Sequence, residues 1–321
     1  MRAESQPPVG RPGGLERVMK LRAYHAFDSL APAQLAALAE LAEERFFPAG
    51  ALIQAEGTPA LLIHYLIEGE VAIRRRGSPV RRLGPLSVIN GLAALARLER
   101  SHEVVAIADT TTLSFTHEDQ IDVFEDNFEM LASVLRRMAG ALLDAIAAAG
   151  PTDQLQPPPA APPTPDRILS LVEKLTALRS AAPYDEAPLE ALAELARESP
   201  QVRHAAGEPL WSAGDESDWS LAIVAGSVTG TASGGGPALR STAGSIAGAL
   251  DSMAGRVRVF DAVAETDLIG LRIDSGTLLD VLEDHTDMAL HLLHSMARGV
   301  LALRERIAAG PDRIERRATS E

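Results

Sequence analysis

Cysteine is absent from the 321 residues, which excludes disulfides, thiolate chemistry and cysteine-ligated zinc. Aromatics are scarce: two Trp, three Tyr and seven Phe make up 4% of the chain, so Leu, Ala, Val and Ile must fill the cores. No apolar run approaches the roughly 18 residues of a membrane span, so no span is expected. The opening MRAESQPPVGRPGG lacks the apolar stretch of a secretory signal and reads as a disordered arm over 1–14 of a cytoplasmic protein. Positive charge is in deficit too, with 30 Lys and Arg against 44 Asp and Glu and a net charge of -14. That balance disfavours nonspecific nucleic-acid binding, which draws on neutralised phosphates. What the chain does have is 46% hydrophobic and 23% charged residues. This suffices for a buried core in each of the two domains that the length suggests.

Residues 151–165 read PTDQLQPPPAAPPTP. Proline fixes φ and removes a backbone donor, so 150–165 is expected to be a semi-extended linker between domains at 15–149 and 166–310, with a tail at 311–321. The halves repeat one another. Gly50, Gly57, Gly69 and Val71 recur 157 residues later as Gly207, Gly214, Gly226 and Val228, and Gly91 falls on Gly248 at the same offset. With one inserted residue after that point, Arg100, Val105, Ala106, Asp109 and Leu113 return as Arg258, Val263, Ala264, Asp267 and Leu271. Matched glycines imply matched turns, since glycine alone takes φ > 0 without penalty. Each repeat has the same grammar. A short helix comes first, at 33–44 in the first repeat after Ser29 as cap. Short strands punctuated by Gly and Pro follow over about 46–116 and 203–273, and a long closing helix ends each repeat, at 118–148 and 276–308. That pattern predicts rolls or barrels.

The residues Phe47-Pro48-Ala49-Gly50, Glu56-Gly57 and Tyr65-Leu66-Ile67-Glu68-Gly69-Glu70-Val71 carry a resemblance. They resemble the cyclic-nucleotide-binding domain of bacterial catabolite activators, protein kinase A regulatory subunits and gated channels, over 15–149 and more weakly over 185–309. The resemblance implies an α+β fold of two antiparallel β-rolls, each with flanking helices. It also implies a phosphate-binding cassette in which a Phe-Gly-Glu-Leu segment puts its Glu on the ribose hydroxyl and an Arg-Ser or Arg-Ala pair holds the phosphate. Here the aligned segment is Ile89-Asn90-Gly91-Leu92, so Gly91 replaces the carboxylate, while Arg100-Ser101 stands at the phosphate pair. The second repeat aligns Ile246-Ala247-Gly248-Ala249, and its Arg258 is followed by Val259 and Phe260. The residual ligand site of the first repeat is therefore Asn90, Gly91, Leu92, Arg100 and Ser101. In the second, Gly248 and Arg258 are the weaker counterparts. Any cofactor is expected to be a cyclic nucleotide in the first domain or none at all.

Arg74, Arg75, Arg76, Arg81 and Arg82 crowd one predicted hairpin. They read either as an interaction patch for an acidic partner or as charge that blunts an exposed edge. Leu293, Met296, Val300, Leu303 and Ile307 recur at heptad-like spacing and read either as a dimer seam or as the face a helix turns to its own roll. Asp287, His291 and His294 share one helical face, but no fourth ligand is evident, so no metal is expected. Gly234-Gly235-Gly236 is followed by no Lys-Ser or Lys-Thr and is no P-loop. No catalytic elbow, zinc-protease helix or dinucleotide fingerprint appears. After Ala309 only GPDRIERRATSE remains, so no DNA-binding helix-turn-helix is expected. The reading is a non-enzymatic regulatory or scaffold protein acting through protein contacts, with a cyclic-nucleotide sensor as the alternative.

Overall fold

The structure is a computed structural model that describes residues 14–28, 30–75, 78–97, 102–149, 167–232 and 237–309. Residues 1–13 of the expected arm, the linker and the tail, together with Ser29, Arg76 and Gly234–Gly236, lie outside the described residues, while Gly14, expected in the arm, opens the first helix. The chain divides into two compact units, Met1–Ser133 and Val134–Glu321.

In the first unit, α1 (Gly14–Arg22) and α2 (Pro32–Leu41) precede the strands β1 (Glu43–Phe47), β2 (Leu52–Gln54), β3 (Leu62–Glu68), β4 (Val71–Arg75), β5 (Ser78–Leu83) and β6 (Val88–Ile89). The short helix α3 (Gly91–Leu95) follows, then β7 (Glu103–Ala106), β8 (Thr110–Thr116) and α4 (His117–Asp126). Helix α5 (Phe128–Ala149) crosses the boundary between the units. The strands form two antiparallel four-stranded sheets in the orders β1-β8-β3-β6 and β2-β7-β4-β5.

The second unit repeats this order. Helices α6 (Leu171–Ser180) and α7 (Leu189–Glu198) lead into β9 (Gln201–His204), β10 (Pro209–Trp211), β11 (Trp219–Ala225), β12 (Ser227–Ala232), β13 (Pro237–Thr242) and β14 (Ile246–Ala247). Then come α8 (Ala249–Ala254), β15 (Phe260–Ala264), β16 (Leu268–Asp274), α9 (Ser275–Asp284) and α10 (Thr286–Ala309). The sheets are β14-β11-β16-β9 and β10-β15-β12-β13. Two antiparallel β-rolls with flanking helices are thus the fold.

Local chemistry explains the boundaries. Helix α2 starts at Pro32, whose missing donor costs nothing in a first turn, and the Gln34 side chain accepts the Ala31 amide at 2.8 Å. Helix α4 starts with a capping box in which Thr116 Oγ1 accepts the Asp119 amide at 3.0 Å and Asp119 accepts the Thr116 amide at 2.9 Å. The closing helix expected over 118–148 is two helices. Asn127, at φ -144, interrupts it, and its side-chain oxygen accepts the Met130 amide at 2.8 Å, capping α5. His285, at φ -127, makes the matching break between α9 and α10.

Strand alternation sorts the first roll's core. Leu66 faces inward with Val71, Leu83, Ile89 and Val104. Its neighbour Tyr65 packs its ring edge against Tyr24 and Phe115, at centroid distances of 5.0 and 5.5 Å. The Tyr24 hydroxyl donates to the Leu66 carbonyl at 2.6 Å. The second roll's interior holds Trp211, Leu221, Ile223, Val228, Phe260 and several alanines. Seven of the twelve aromatics thus fall in two clusters: Tyr24, Phe27, Tyr65 and Phe115 in the first unit, and Trp211, Trp219 and Phe260 in the second.

Strand register moves the inserted residue. Val71 opposes Leu83, and Val228 opposes Ser241, so the offset has already become 158 by the far side of the β12–β13 hairpin. His64 opposes Ile89 and Leu221 opposes Ala247. The insertion therefore lies at the hairpin tip, not after Gly248 as the glycine match suggests.

Candidate functional site

In the first roll, β6 delivers the chain to Asn90, which caps α3 in the left-handed conformation at φ 64. Its side-chain amide donates to the Leu62 carbonyl at 3.1 Å and to the Gln54 side-chain oxygen at 3.3 Å, fixing the turn to β3 and to the end of β2. Gly91 follows. A Cβ there would stand 2.9 Å from Val88 Cγ1, so a glutamate at this position would have to displace Val88. Leu92 is half-buried. Arg100 and Ser101 lie outside the described residues. Beside α3 opens a groove of about 520 Å³ lined by Pro59, Leu61, Ala93, Arg97, His117 and Ile121. Burial, then the Arg97 charge, holds the His117 imidazole below its ordinary pKa.

In the second roll the left-handed residue before α8 is Gly248, at φ 71. Gly248 is therefore the counterpart of Asn90, and the position to which the resemblance assigns the ribose carboxylate falls on Ala249, the counterpart of Gly91. This corrects the sequence alignment, which had paired the two glycines. Neither roll places a carboxylate at that position.

Arg258 does not reach out of this roll. Its side chain is fully buried, and its guanidinium donates to the Gly248 carbonyl at 3.0 Å and to the Trp219 carbonyl at 2.5 Å. It lies 4.2 Å from the Trp211 ring centroid and 5.3 Å from that of Trp219, close enough for cation–π attraction. The two indoles meet edge to face at 5.2 Å. The Asp251 carboxylate is 4.0 Å from the guanidinium and 1% exposed. Burial holds the Asp251 carboxyl above its ordinary pKa, against the pull of Arg258, the Val259 amide and Arg256. Burial likewise lowers the Arg258 pKa, and the Asp251 charge opposes it. A Cβ on Gly248 would lie 2.2 Å from Arg258 Nη1 and 3.1 Å from the Trp211 ring.

The remaining candidates resolve as follows. In the arginine cluster, Arg74 pairs with Glu103 at 3.6 Å and Arg82 with Glu70 at 3.7 Å, while Arg81 is exposed; the side chain of Arg75 and all of Arg76 lie outside the description. Of the proposed seam, Leu293, Met296 and Val300 are buried within the second unit, Leu303 is half-buried and Ile307 is 45% exposed. His291 pairs with Asp185 and Glu186 at 3.7 and 3.4 Å. No group of three potential metal ligands occurs among the described residues.

Sequence reading missed Trp211, Trp219 and Asp251. A signal existed: both tryptophans of an aromatic-poor chain fall in one repeat. It also missed a buried polar trio in the first roll. His64 Nδ1 meets Ser114 Oγ at 2.7 Å, and Ser114 Oγ meets Thr112 Oγ1 at 3.0 Å. Burial, with the Arg45 charge adding to it, pushes the His64 pKa down to about 4, so this imidazole is neutral near pH 7.

Residues 44–127, which span most of the first roll's strands, match the family model of the cyclic nucleotide-binding domain. Among solved structures, the chain is similar to the regulatory domain of Toxoplasma gondii PKA with cAMP, at 16% identity over 89% of this chain and 97% of that one, with TM-score 0.34. It is similar to the regulatory subunit of a cAMP-independent protein kinase A from Trypanosoma brucei, at 14% identity over 99% and 97%, with TM-score 0.34. A cyclic nucleotide-binding-like protein from Brucella abortus aligns at 24% identity over 34% of this chain and 98% of that one, with TM-score 0.31. No curated protein matches the chain. No described helix is long and apolar enough to cross a membrane.

Proposed function

We propose that the chain is a non-enzymatic regulatory or scaffold protein, with domains at 15–149 and 166–310 that act through protein contacts. On this reading a cyclic nucleotide binds weakly in the first roll or not at all. The observation that carries the proposal is the helix start after β6. Gly91 supplies no carboxylate, and a Cβ there would come within 2.9 Å of Val88 Cγ1. A hydrogen bond to a charged group contributes about 1.5–3 kcal/mol, so its loss weakens a ribose-bearing ligand by roughly one to two decades. In the second roll Ala249 removes the same group.

Titration calorimetry of the whole chain with cyclic AMP and cyclic GMP tests this. Affinity weaker than about 10 μM is expected, by that one- to two-decade loss. Submicromolar binding, with a matching rise in melting temperature, would instead support the sensor reading. That alternative draws on the family match over residues 44–127. If a nucleotide binds, Arg100→Ala is expected to abolish binding and Arg258→Ala to leave it, because the Arg258 side chain is buried inside its own roll with both Nη atoms bonded to backbone carbonyls.

A further inference from the structure

We propose that the second roll is a guanidinium cage permanently filled by the chain's own Arg258, so that it takes up no anion and does not respond to nucleotides. This deepens the functional reading above, which takes from the second roll only the carboxylate missing at Ala249, and it rests on the second roll's geometry alone.

The cage holds the guanidinium through its two Nη atoms and its faces, while Nε, buried with them, has no hydrogen-bond partner among the described residues. Two backbone carbonyls, of Gly248 and Trp219, accept from the two Nη atoms. Two indoles flank the cation at 4.2 and 5.3 Å, and a planar, weakly hydrated cation is suited to such faces. A buried carboxylate, Asp251, stands 4.0 Å away and balances the charge in a place where an unpaired ion is costly. Gly248 is part of the cage by virtue of having no side chain, since a Cβ would clash with Nη1 at 2.2 Å.

The same features exclude a phosphate. An arginine holds a phosphate through a free charge with outward donors, and Arg258 offers neither. Its charge is met by Asp251, its Nη donors are spent inward, and its side chain is inaccessible to solvent. Displacing the guanidinium would leave the Asp251 carboxyl buried without its cation, in a pocket that then offers an incoming anion no positive charge. The roll therefore carries a tethered ligand of charge opposite to a nucleotide's.

The chain's only two tryptophans are Trp211 and Trp219, so tryptophan fluorescence, excited selectively over that of the three tyrosines, reports on this cage. In the wild-type full chain, tryptophan emission is expected to stay unchanged on titration with millimolar cyclic AMP or cyclic GMP. Arg258→Ala is expected to shift the emission to the red. Millimolar methylguanidinium should reverse that shift saturably and raise the variant's melting temperature, whereas sodium chloride at equal ionic strength should not. Gly248→Ala keeps the arginine but crowds it, and should give the same red shift without rescue. Where Arg258→Ala does not fold, Gly248→Ala and the wild-type titration decide. Three results overturn the proposal: a saturable nucleotide response of the wild-type emission, a Gly248→Ala emission identical to wild type, or a folded Arg258→Ala that methylguanidinium does not rescue. Calorimetric binding to the first roll leaves tryptophan emission unmoved, so the two proposals fail separately.

Discussion

Asn90 donates its side-chain amide to the Leu62 carbonyl at 3.1 Å while its own backbone is left-handed at φ 64. One residue thus both makes the turn into α3 and ties it to the sheet. Asparagine tolerates this conformation better than other residues with a Cβ. Asn90→Ala loses the hydrogen bonds and keeps a Cβ in a region that disfavours it, so a loss of about 2 kcal/mol is expected. Asn90→Gly, the residue the second roll uses, should lose roughly half as much. Chemical denaturation of both variants checks the order; equal losses would mean that backbone conformation contributes nothing.

Leu86 is left-handed at φ 65 and 60% exposed, so it buries little in return. Its amide donates to the Leu66 carbonyl at 3.0 Å, as the Gly244 amide does to Ile223 in the second roll, and Gly244 sits at φ 82. Leu86→Gly relieves about 1–2 kcal/mol of backbone strain and gives back part of it through unfolded-chain entropy. A net gain of roughly 0.5–1 kcal/mol is expected, read as a higher denaturation midpoint.

His64 titrates at about 4 in the folded chain, against an unfolded value near 6.5. The groups facing it are Arg45 and Phe47 from β1 and Thr112 and Ser114 from β8. Between those two pH values the unfolded chain binds the extra proton, so stability is full above pH 6.5 and falls as pH drops toward 4. The loss attributable to this residue is roughly 3 kcal/mol. His64→Leu, which copies Leu221 of the second roll and leaves Thr112 and Ser114 bonded to each other, should flatten that slope. Stability curves measured at pH 7, 5.5 and 4 decide it; parallel wild-type and variant slopes would sink the assignment.

Val300 is fully buried within the second unit. Val300→Asp puts an unpaired carboxylate in that core and should destabilise the unit by more than about 3 kcal/mol. Ile307→Asp, at a 45% exposed site, should stay within about 0.5 kcal/mol of wild type. Thermal melting and sedimentation separate the cases. A Val300→Asp chain that stays folded and merely halves its mass would make the stripe an intermolecular seam after all.

How much of this was readable from residues depends on what kind of physics decided each feature. The β-roll architecture and its duplication were legible because turns constrain residue type directly. At Gly69 and Gly226, both with φ near +90, a Cβ would fall within 2.4 Å of a backbone carbonyl, that of Asp109 or of Asp267, so glycine must recur wherever that turn recurs. The same logic misled at Gly91 and Gly248, which match in type but not in place: Gly248 is a left-handed turn residue, whereas Gly91 is the first residue of a helix. Only the strand pairings His64–Ile89 and Leu221–Ala247 expose the difference, since pairing register is a property of two strands. Arg258 is the sharper case. As a letter it was an anion ligand of low promise. Its role was set by Trp211 on β10, Trp219 on β11 and Asp251 on α8, elements up to 47 positions away in the chain. A long flexible cation can point to solvent or inward, and no local preference chooses between them. Two indole faces, two carbonyls and one carboxylate converge only when the sheets close, and that convergence turned the guanidinium inward.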